Sequence, residues 1–596
     1  MDWNNDLHRK NIRRLVSLLF SFSILLTIIL AHIGYIQLFA KNDYQGINLV
    51  SKSIEQRSRS VTLDIGRGDI LDRKGLSFTG FEREAILVLP KRKEQLALEK
   101  KQIEELASIL TIDEALLFNR FATIRLPELL KINQKVVYIN EAQKQKIEAL
   151  KLSGIFFADH KERYTDEMIA RHVVGFIGQD PSLLQAKYKK YIENGVFSER
   201  DLVGKSGLER TYELDVKSEG DSRISYYIYQ DRNQQLHPYY GLGIRLYEND
   251  NPYRPAKIVT TLDFEMQQSA ERLLDSYQVE KGSIVVQDME NGDVLVMASR
   301  PNYNPNQIEI EKYNDTKNRA VAALFPGSVF KIVIAAAALE EGIVSLQDRF
   351  DCEGHLEFAN GEKLKCWKEH GHLSLIDAFA ESCNVTFAKL AIEIGRDKIE
   401  KYAQAFGLGS TISYYDSNRG IPQIYQEEHG QIFRIEGKNE QLIANTAIGQ
   451  QDVQITPLQA SNMLVTIMNH GRIYQPRLVQ EIRGKNGYLI QAYHTQYKTP
   501  GLISRHTFYQ LSKLLEAVVQ KGTATTIGEA GILAGGKTGT AEIGKTGNVH
   551  RWFVAYYPAN KPKYSISIVV EDVRSYEQIG TPTNLFKDFI INTLNQ

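Results

Sequence analysis

Cysteine is scarce, with three residues in 596, too few for a disulfide framework. Proline is low at 16, and no proline-rich stretch marks a linker. Net charge is absent: 72 Lys plus Arg balance 72 Asp plus Glu. Nothing in the whole-chain charge therefore attracts nucleic acid or an anionic lipid surface. Internal repeats and low-complexity runs are also lacking. A mean hydropathy of −0.31 excludes a polytopic membrane protein. Hydrophobic and charged contents of 43% and 24% exclude a disordered or collagen-like chain. What remains is a neutral globular chain, long enough at ~100–200 residues per domain for roughly three domains or more.

One local absence is informative. Residues 15–40 contain no Asp, Glu, Lys or Arg, and 26 residues at ~1.5 Å each can cross a ~30 Å hydrocarbon core. Arg9, Lys10, Arg13 and Arg14 precede the segment, and the first basic residue after it is Lys41. That asymmetry predicts a cytoplasmic N-terminus. A cleaved secretory signal would have a shorter apolar core of ~7–15 residues and a small-residue cleavage site; this segment is longer and runs into His32, Tyr35 and Gln37. The expectation is a tail over residues 1–14, a membrane anchor over 15–37, and the remainder outside the cytoplasm.

Residues 38–254 mix short β-rich stretches with charged, helix-prone ones. Leu96, Leu98, Ile103, Leu106, Ile109 and Leu110 give residues 94–117 the spacing of one or two amphipathic helices. From residue 255 onward the pattern changes. Gly282-Ser-Ile-Val-Val-Gln-Asp288 and Asp293-Val-Leu-Val-Met-Ala298, joined through Asn291-Gly292, read as a hairpin. Residues 536–542, 551–557 and 564–571 read as three further strands, and 584–595 as a closing amphipathic helix. Two strands from the start and three from the end predict one five-stranded antiparallel sheet with an inserted, mostly helical lobe of about 230 residues. The expected fold class is α+β.

Ser328 lies in Phe325-Pro-Gly-Ser-Val-Phe-Lys331, followed by an alanine-rich helical run. Ser328 and Lys331 are then three apart and share a helix face. A serine hydroxyl needs an adjacent base to become a nucleophile, and a lysine can serve if burial or a second cation lowers its pKa. Ser-x-x-Lys alone arises by chance about once per ~200 residues. Two further motifs change its weight. Ser382-Cys383-Asn384 is the only Ser-x-Asn in the chain, and Lys537-Thr538-Gly539-Thr540 falls on a predicted strand. Alternation puts Lys537 and Gly539 on one face and Thr538 and Thr540 on the other. The missing side chain of Gly539 is expected to leave room for a ligand along the strand edge.

These three motifs, 54 and 155 residues apart, are in the order found in penicillin-recognising serine acyltransferases. The chain resembles a class B penicillin-binding protein, a monofunctional peptidoglycan D,D-transpeptidase, over nearly its whole length. Arg67-Gly-Asp-Ile-Leu-Asp-Arg-Lys-Gly75, Arg171-His-Val-Val-Gly175 and Gly204-Lys-Ser-Gly-Leu-Glu-Arg210 look like the family's N-terminal motifs. Asn318-Arg319 and residues 550–558 also fit. Arg67-Gly68-Asp69 thus reads as part of a pedestal motif rather than an adhesion tripeptide. One departure stands out: the family's Gly-Gln-Gly is Gly449-Gln450-Gln451 here, ahead of an intact Thr456-Pro-Leu-Gln459. A second Lys-Thr-Gly, at residues 545–547, suits a turn.

The resemblance implies an N-terminal pedestal of the dimerisation type over residues 38–254 and a transpeptidase domain over 255–596. It implies Ser328 as nucleophile, Lys331 as base, and Ser382, Asn384 and Lys537 as further catalytic groups. Thr538, Gly539 and Thr540 would bind the substrate carboxylate region, and the backbone N–H groups of Ser328 and Thr540 would form the oxyanion hole. No cofactor and no metal is expected. Expected partners are stem peptides ending in D-Ala-D-Ala, β-lactams, the membrane through one span, and a glycan polymerase of the SEDS type, with no nucleic acid. Two other classes stay open: a D,D-carboxypeptidase or β-lactamase-like hydrolase, and a non-catalytic β-lactam sensor or scaffold. Cys352 and Cys366 flank a hairpin-like stretch and are candidates for a disulfide. Cys366, His370 and His372 have loosely metal-like spacing but lack a placed fourth ligand, so a structural role is expected for them, and Cys383 is expected to be a packed side chain.

Overall fold

The computed structural model describes residues 3–38, 58–217, 220–230, 236–238, 244–248, 251, 253–437, 439–544, 546–575, 577 and 580–595. They form two compact units. One comprises Met1–Ile65, Glu82–Lys161 and Gly220–Asn249; the other Gly66–Phe81, Glu162–Glu219 and Asp250–Gln596. The expected boundary at residue 254 is therefore not a single cut. Two pieces of the N-terminal region belong to the same unit as residues 255–596.

The first unit opens on a helix, Trp3–Leu38. Its stretch Asn11–Ile36 is long and apolar enough to cross a membrane, and none of the residues in its most apolar window is buried. That combination points to membrane anchoring, because an apolar face with no protein cover is otherwise unfavourable in water. Ser58–Asp64 pairs antiparallel with Ser222–Gln230, which also pairs with Ile244–Tyr247. Residues 94–117 form parts of three helices: Lys93–Leu98, Lys100–Leu110 and Glu114–Thr123. The break at Thr111 has a left-handed backbone, φ 57°, and Asp113 caps the next helix through Leu116 N–H. Leu96, Ile103, Leu106, Leu117 and Phe121 bury one face together.

The second unit is built on the expected five-stranded sheet. We label its strands β1 (Gly282–Asp288), β2 (Val294–Arg300), β3 (Gly535–Glu542), β4 (Asn548–Tyr557) and β5 (Tyr564–Arg574). Their order is β2-β1-β5-β4-β3, all antiparallel, so β3 is an edge. The closing helix runs Thr581–Phe589 and continues as a π-turn, Ile590–Leu594. Between β2 and β3 three helices matter most: α1 (Lys331–Glu340), α2 (Asn384–Ile394) and α3 (Arg505–Lys521). Helix α1 is buried all round from Lys331 to Leu339. An alanine run, Ala335–Ala338, suits a helix surrounded by other elements. The inserted region is less helical than expected. It includes the pairs Arg349–Cys352 with Gly371–Ser374 and His355–Glu357 with Lys363–Lys365, and Val479–Arg483 pairs with Lys257–Thr260.

The three N-terminal motifs meet inside this same unit. Arg67 donates to both Glu209 (Nη2 to Oε2, 2.8 Å) and Glu213 (2.9 Å). Arg163 and Tyr164 hydroxyl donate to the other Glu209 oxygen at 2.8 and 2.7 Å. All five side chains are buried, which accounts for the motif and removes Arg67 from any adhesive role. The motif glycines serve close approach: a Cβ on Gly68 would lie 1.7 Å from Ala256 O, and one on Gly204 2.0 Å from Glu209 O. Arg67→Ala leaves two buried carboxylates short of their cation and is expected to cost about 3–5 kcal/mol. Chemical denaturation of the purified protein reads this as a lowered midpoint; an unchanged midpoint would contradict it.

Candidate active site

Ser328 sits in a tight 3₁₀ turn, Gly327–Phe330, which runs directly into α1 at Lys331. This turn is held from two sides. Gly327 N–H donates to Gly449 O at 3.0 Å, and Trp552 Nε1 on β4 donates to Phe325 O at 3.0 Å. Gly327 has φ +54°, and a Cβ there would meet Thr540 O at 2.3 Å; a Cβ on Gly449 would meet Gly327 O at 2.0 Å. A Cβ on Gly539 would fall 2.6 Å from Pro326 O and 3.0 Å from Val329 Cγ2. The expected reason for Gly539 is thus corrected: glycine is required there by the serine turn packed against β3, not by a ligand on its edge. Three glycines let three backbone segments touch.

Ser382 and Asn384 come from the start of α2. Cys383 is its N-cap, and Ser382 adopts a left-handed φ of +57°, a conformation that costs about 1–3 kcal/mol outside glycine. Lys331 Nζ donates to Ser382 O (2.7 Å), Asn384 Oδ1 (2.7 Å) and Ser382 Oγ (3.3 Å). Lys537 Nζ donates to the same Ser382 hydroxyl at 2.9 Å and to Thr538 O at 3.1 Å. Asn384 Nδ2 donates to Lys365 O at 2.9 Å. Both lysines are fully buried. Burial pulls Lys331 down to about 8, and pushes Lys537 well below the ordinary lysine value, with the charge of Lys331 adding to the effect. Two buried ammonium groups this close to one hydroxyl cannot both be favourable.

Lys331, Ser382, Asn384 and Lys537 are thus joined by hydrogen bonds from α1, α2 and the edge strand, and Ser328 stands three residues before Lys331 in the serine turn. Thr538 and Thr540 follow the predicted alternation: Lys537 and Gly539 are buried, Thr538 half-buried and Thr540 exposed. Of the second Lys-Thr-Gly, Lys545 lies outside the described residues, while Thr546 and Gly547 lie between β3 and β4 as a turn would.

Comparison with known families matches residues 282–590 to the penicillin-binding protein transpeptidase domain. The chain belongs to this family. Residues 63–237 match the penicillin-binding protein dimerisation domain, which makes it a class B penicillin-binding protein. Stage V sporulation protein D of Bacillus subtilis is 29% identical over 590 residues, covering 95% of this chain and 83% of that one. Peptidoglycan D,D-transpeptidase MrdA of Escherichia coli K12 is 24% identical, covering 97% and 94%. A solved structure described as "Structural coordination of polymerization and crosslinking by a peptidoglycan synthase complex" contains a chain of the same fold, with TM-score 0.65, 22% identity and 96% coverage of both chains.

Several residues of this penicillin-binding protein site escape motif reading. Phe379 and Phe387 place their rings 5.6 and 5.7 Å from Lys537 and Lys331 Nζ, a cation–π contact that survives burial. Thr523 pairs its hydroxyl with that of Thr538 at 2.6 Å. Gln450 spans the β3 edge: its amide donates to Thr540 O (3.0 Å) and accepts from Glu542 N–H (2.8 Å). Because strand groups alternate, Thr540 N–H points the same way as its clamped carbonyl. Residue 451 does not need a glycine's backbone freedom here, since φ is positive at Gly449 but not at Gln451; Asn445 Nδ2 donates to the Gln451 side chain at 3.2 Å.

Cys352, Cys366 and Cys383 are all free thiols. Their Sγ atoms and a ring nitrogen of His370 all lie within 4.8 Å of one another, so these four residues could hold a metal ion. His372 is not among them; its ring pairs with Asp351 instead.

Two hydrogen bonds at about 1 kcal/mol each fix Thr540 through Gln450. Gln450→Ala is expected to slow the reaction with a fluorescent penicillin by about tenfold. Gln450→Glu, which cannot donate to Thr540 O, should also be slow. Wild-type rates in both would contradict a positioning role.

Proposed function

We propose that this chain is a membrane-anchored peptidoglycan D,D-transpeptidase that cross-links stem peptides through an acyl-Ser328 intermediate. The observation that carries the reading is the sharing of one hydroxyl, Ser382 Oγ, by two fully buried lysines beside the serine turn.

A neutral lysine amine has two N–H groups and one lone pair. In the neutral state the two shorter contacts, Ser382 O and Asn384 Oδ1 at 2.7 Å, take both N–H groups of Lys331, the longer donation to Ser382 Oγ at 3.3 Å is given up, and the lone pair is left for the Ser328 proton. Ser328 Oγ then attacks the carbonyl between the two terminal D-alanines, and Lys331 takes the proton. The N–H groups of Ser328 and Thr540 receive the developing oxyanion. As the tetrahedral adduct collapses, the C–N bond breaks. The departing D-alanine amine is protonated through Ser382, whose own oxygen accepts from Lys537. With Lys331 neutral again once its proton has passed through Ser382 to the leaving amine, an amine of a neighbouring stem attacks the acyl-serine, Lys331 takes that amine's proton, and it returns the proton to Ser328 Oγ as the acyl C–O bond breaks. Thr538 and Thr540, with Thr523 behind Thr538, suit the substrate carboxylate, and Gly539 lets β3 carry them against the serine turn.

A β-lactam carbonyl presented to Ser328 gives a covalent adduct by the same first step. A hydrolytic enzyme would pass the acyl group to water instead of an amine. The basic residues before the apolar helix support a cytoplasmic N-terminus and an extracytoplasmic catalytic unit. The solved relative comes from a complex of polymerisation and crosslinking, which supports a membrane glycan polymerase of the SEDS type as partner.

A labelled penicillin is expected to bond covalently to the wild type and not to Ser328→Ala; labelling that survives the substitution overturns the assignment. Lys331→Ala should slow acylation about 10²–10⁴-fold. With a D-Ala-D-Ala stem donor and an amine acceptor, released D-alanine should appear with cross-linked product. Release with hydrolysed stem alone would favour the carboxypeptidase reading.

A further inference from the structure

The four-residue cluster beneath the Ser-x-Asn motif has a use that the acyl-transfer chemistry does not absorb. Cys352 ends the strand Arg349–Cys352. Cys366 and His370 lie on the segment that follows the small hairpin, and Cys383 is the middle residue of Ser-Cys-Asn. The segments are already tied: Cys366 N–H donates to Gly354 O at 2.8 Å and His370 N–H to Cys352 O at 3.2 Å. His370 Nδ1 lies 3.5 Å from both Cys352 Sγ and Cys366 Sγ, and Cys366 Sγ lies 4.0 Å from Cys383 Sγ.

These spacings match a tetrahedron. Zinc bound at about 2.3 Å to sulfur and about 2.0–2.1 Å to nitrogen sets its ligands about 3.7 Å apart for two sulfurs and about 3.5 Å for sulfur and nitrogen. A disulfide would require sulfurs at about 2.0 Å. Among the described residues the His370 ring has no hydrogen-bond partner besides the thiols: Nε2 is buried without one, and Nδ1 is the nitrogen turned to the sulfurs. The sulfurs are served as thiolate ligands usually are. Asn384 N–H donates to Cys366 Sγ at 3.2 Å, and Thr386 N–H and hydroxyl donate to Cys383 Sγ at 3.5 and 3.3 Å.

We propose that Cys352, Cys366, His370 and Cys383 bind one Zn²⁺, and that this ion, not a disulfide, positions the Ser-x-Asn loop. On binding, the three thiols release their protons to solvent, and no electron changes hands. Three thiolates with one imidazole form a closed structural set with no open position for substrate or water. The ion acts on the reaction only by position. Cys383 is bonded between Ser382 and Asn384, and Cys366 accepts from Asn384 N–H. Fixing both sulfurs therefore fixes the two groups that receive Lys331 and the strained backbone at Ser382.

The test uses the full chain, purified in detergent with reductant and supplied with zinc alone. Elemental analysis should give one zinc per chain, with all three thiols protected from a thiol reagent until a strong chelator is added. Replacement by Co²⁺ should give the absorption of tetrahedral cobalt–thiolate. Cys352→Ser, remote in sequence from the motif, should lose most of the zinc, and His370→Cys should retain it. Removal of zinc should slow penicillin acylation at least about tenfold, with recovery on adding zinc back. Metal content does not depend on the transpeptidase reading, so zinc binding with unchanged acylation overturns only the positioning role. Full zinc loading of Cys352→Ser, three reactive thiols in protein supplied with zinc, or a Cys366–Cys383 disulfide in protein prepared without reductant would overturn the site.

Discussion

Two lysine side chains taken fully out of water and aimed at one serine hydroxyl are the constraint on which the rest of the catalytic unit depends. A buried ammonium is costly unless its hydrogen bonds are met. Here the acceptors are few: Ser382 O and Oγ, Asn384 Oδ1 and Thr538 O. The Phe379 and Phe387 rings supply the remaining cover. The cheapest way to relieve two neighbouring buried charges is for one amine to be neutral, and a neutral lysine beside a serine is a base. Packing and chemistry thus have the same cause.

Holding that arrangement takes backbone precision from distant parts of the chain. The serine turn, the loop at Gly449 and strand β3 approach closely enough that a single Cβ at residue 327, 449 or 539 would collide with main-chain atoms. Gln450 then ties the same loop to β3, and Trp552 ties β4 to Phe325. The sheet supplies rigidity, and the inserted region supplies Ser382 and Asn384 from its own side. The buried Arg67–Glu209–Glu213 network, with Arg163 and Tyr164 on the second Glu209 oxygen, binds the two N-terminal pieces of this unit to each other by charges held out of water.

Much of this was legible before any coordinates. Strands β2 and β4 carry the apolar runs Val294–Ala298 and Trp552–Tyr557, with Asn-Gly before the first and a proline just after the second, and the three motifs carry chemistry that few other arrangements need. What escaped reading depends on contacts without local pattern. Gln450 acts through its side-chain amide on a strand 90 residues away, and nothing in its neighbours announces that. Gly539 was legible as a glycine but not for its reason, because the clash is with Pro326. The metal-like quartet joins Cys352 and Cys383 to Cys366 and His370 across strand pairs, whereas the spacing pointed to His372, which pairs with Asp351. The packing of residues 66–81 and 162–219 in the same compact unit as the catalytic sheet was not legible for a related reason, since they precede it by up to two hundred residues.

The central claim is that burial lowers Lys331 far enough for its amine to serve as the base. The most direct measurement is the pH dependence of the rate constant for Ser328 acylation by a β-lactam whose own ionisation does not change over the range. The rate should rise with pH as Lys331 loses its proton, with a midpoint near 8, and level off above it. A flat profile, or a rise centred on the ordinary lysine value of 10.5, would contradict the account.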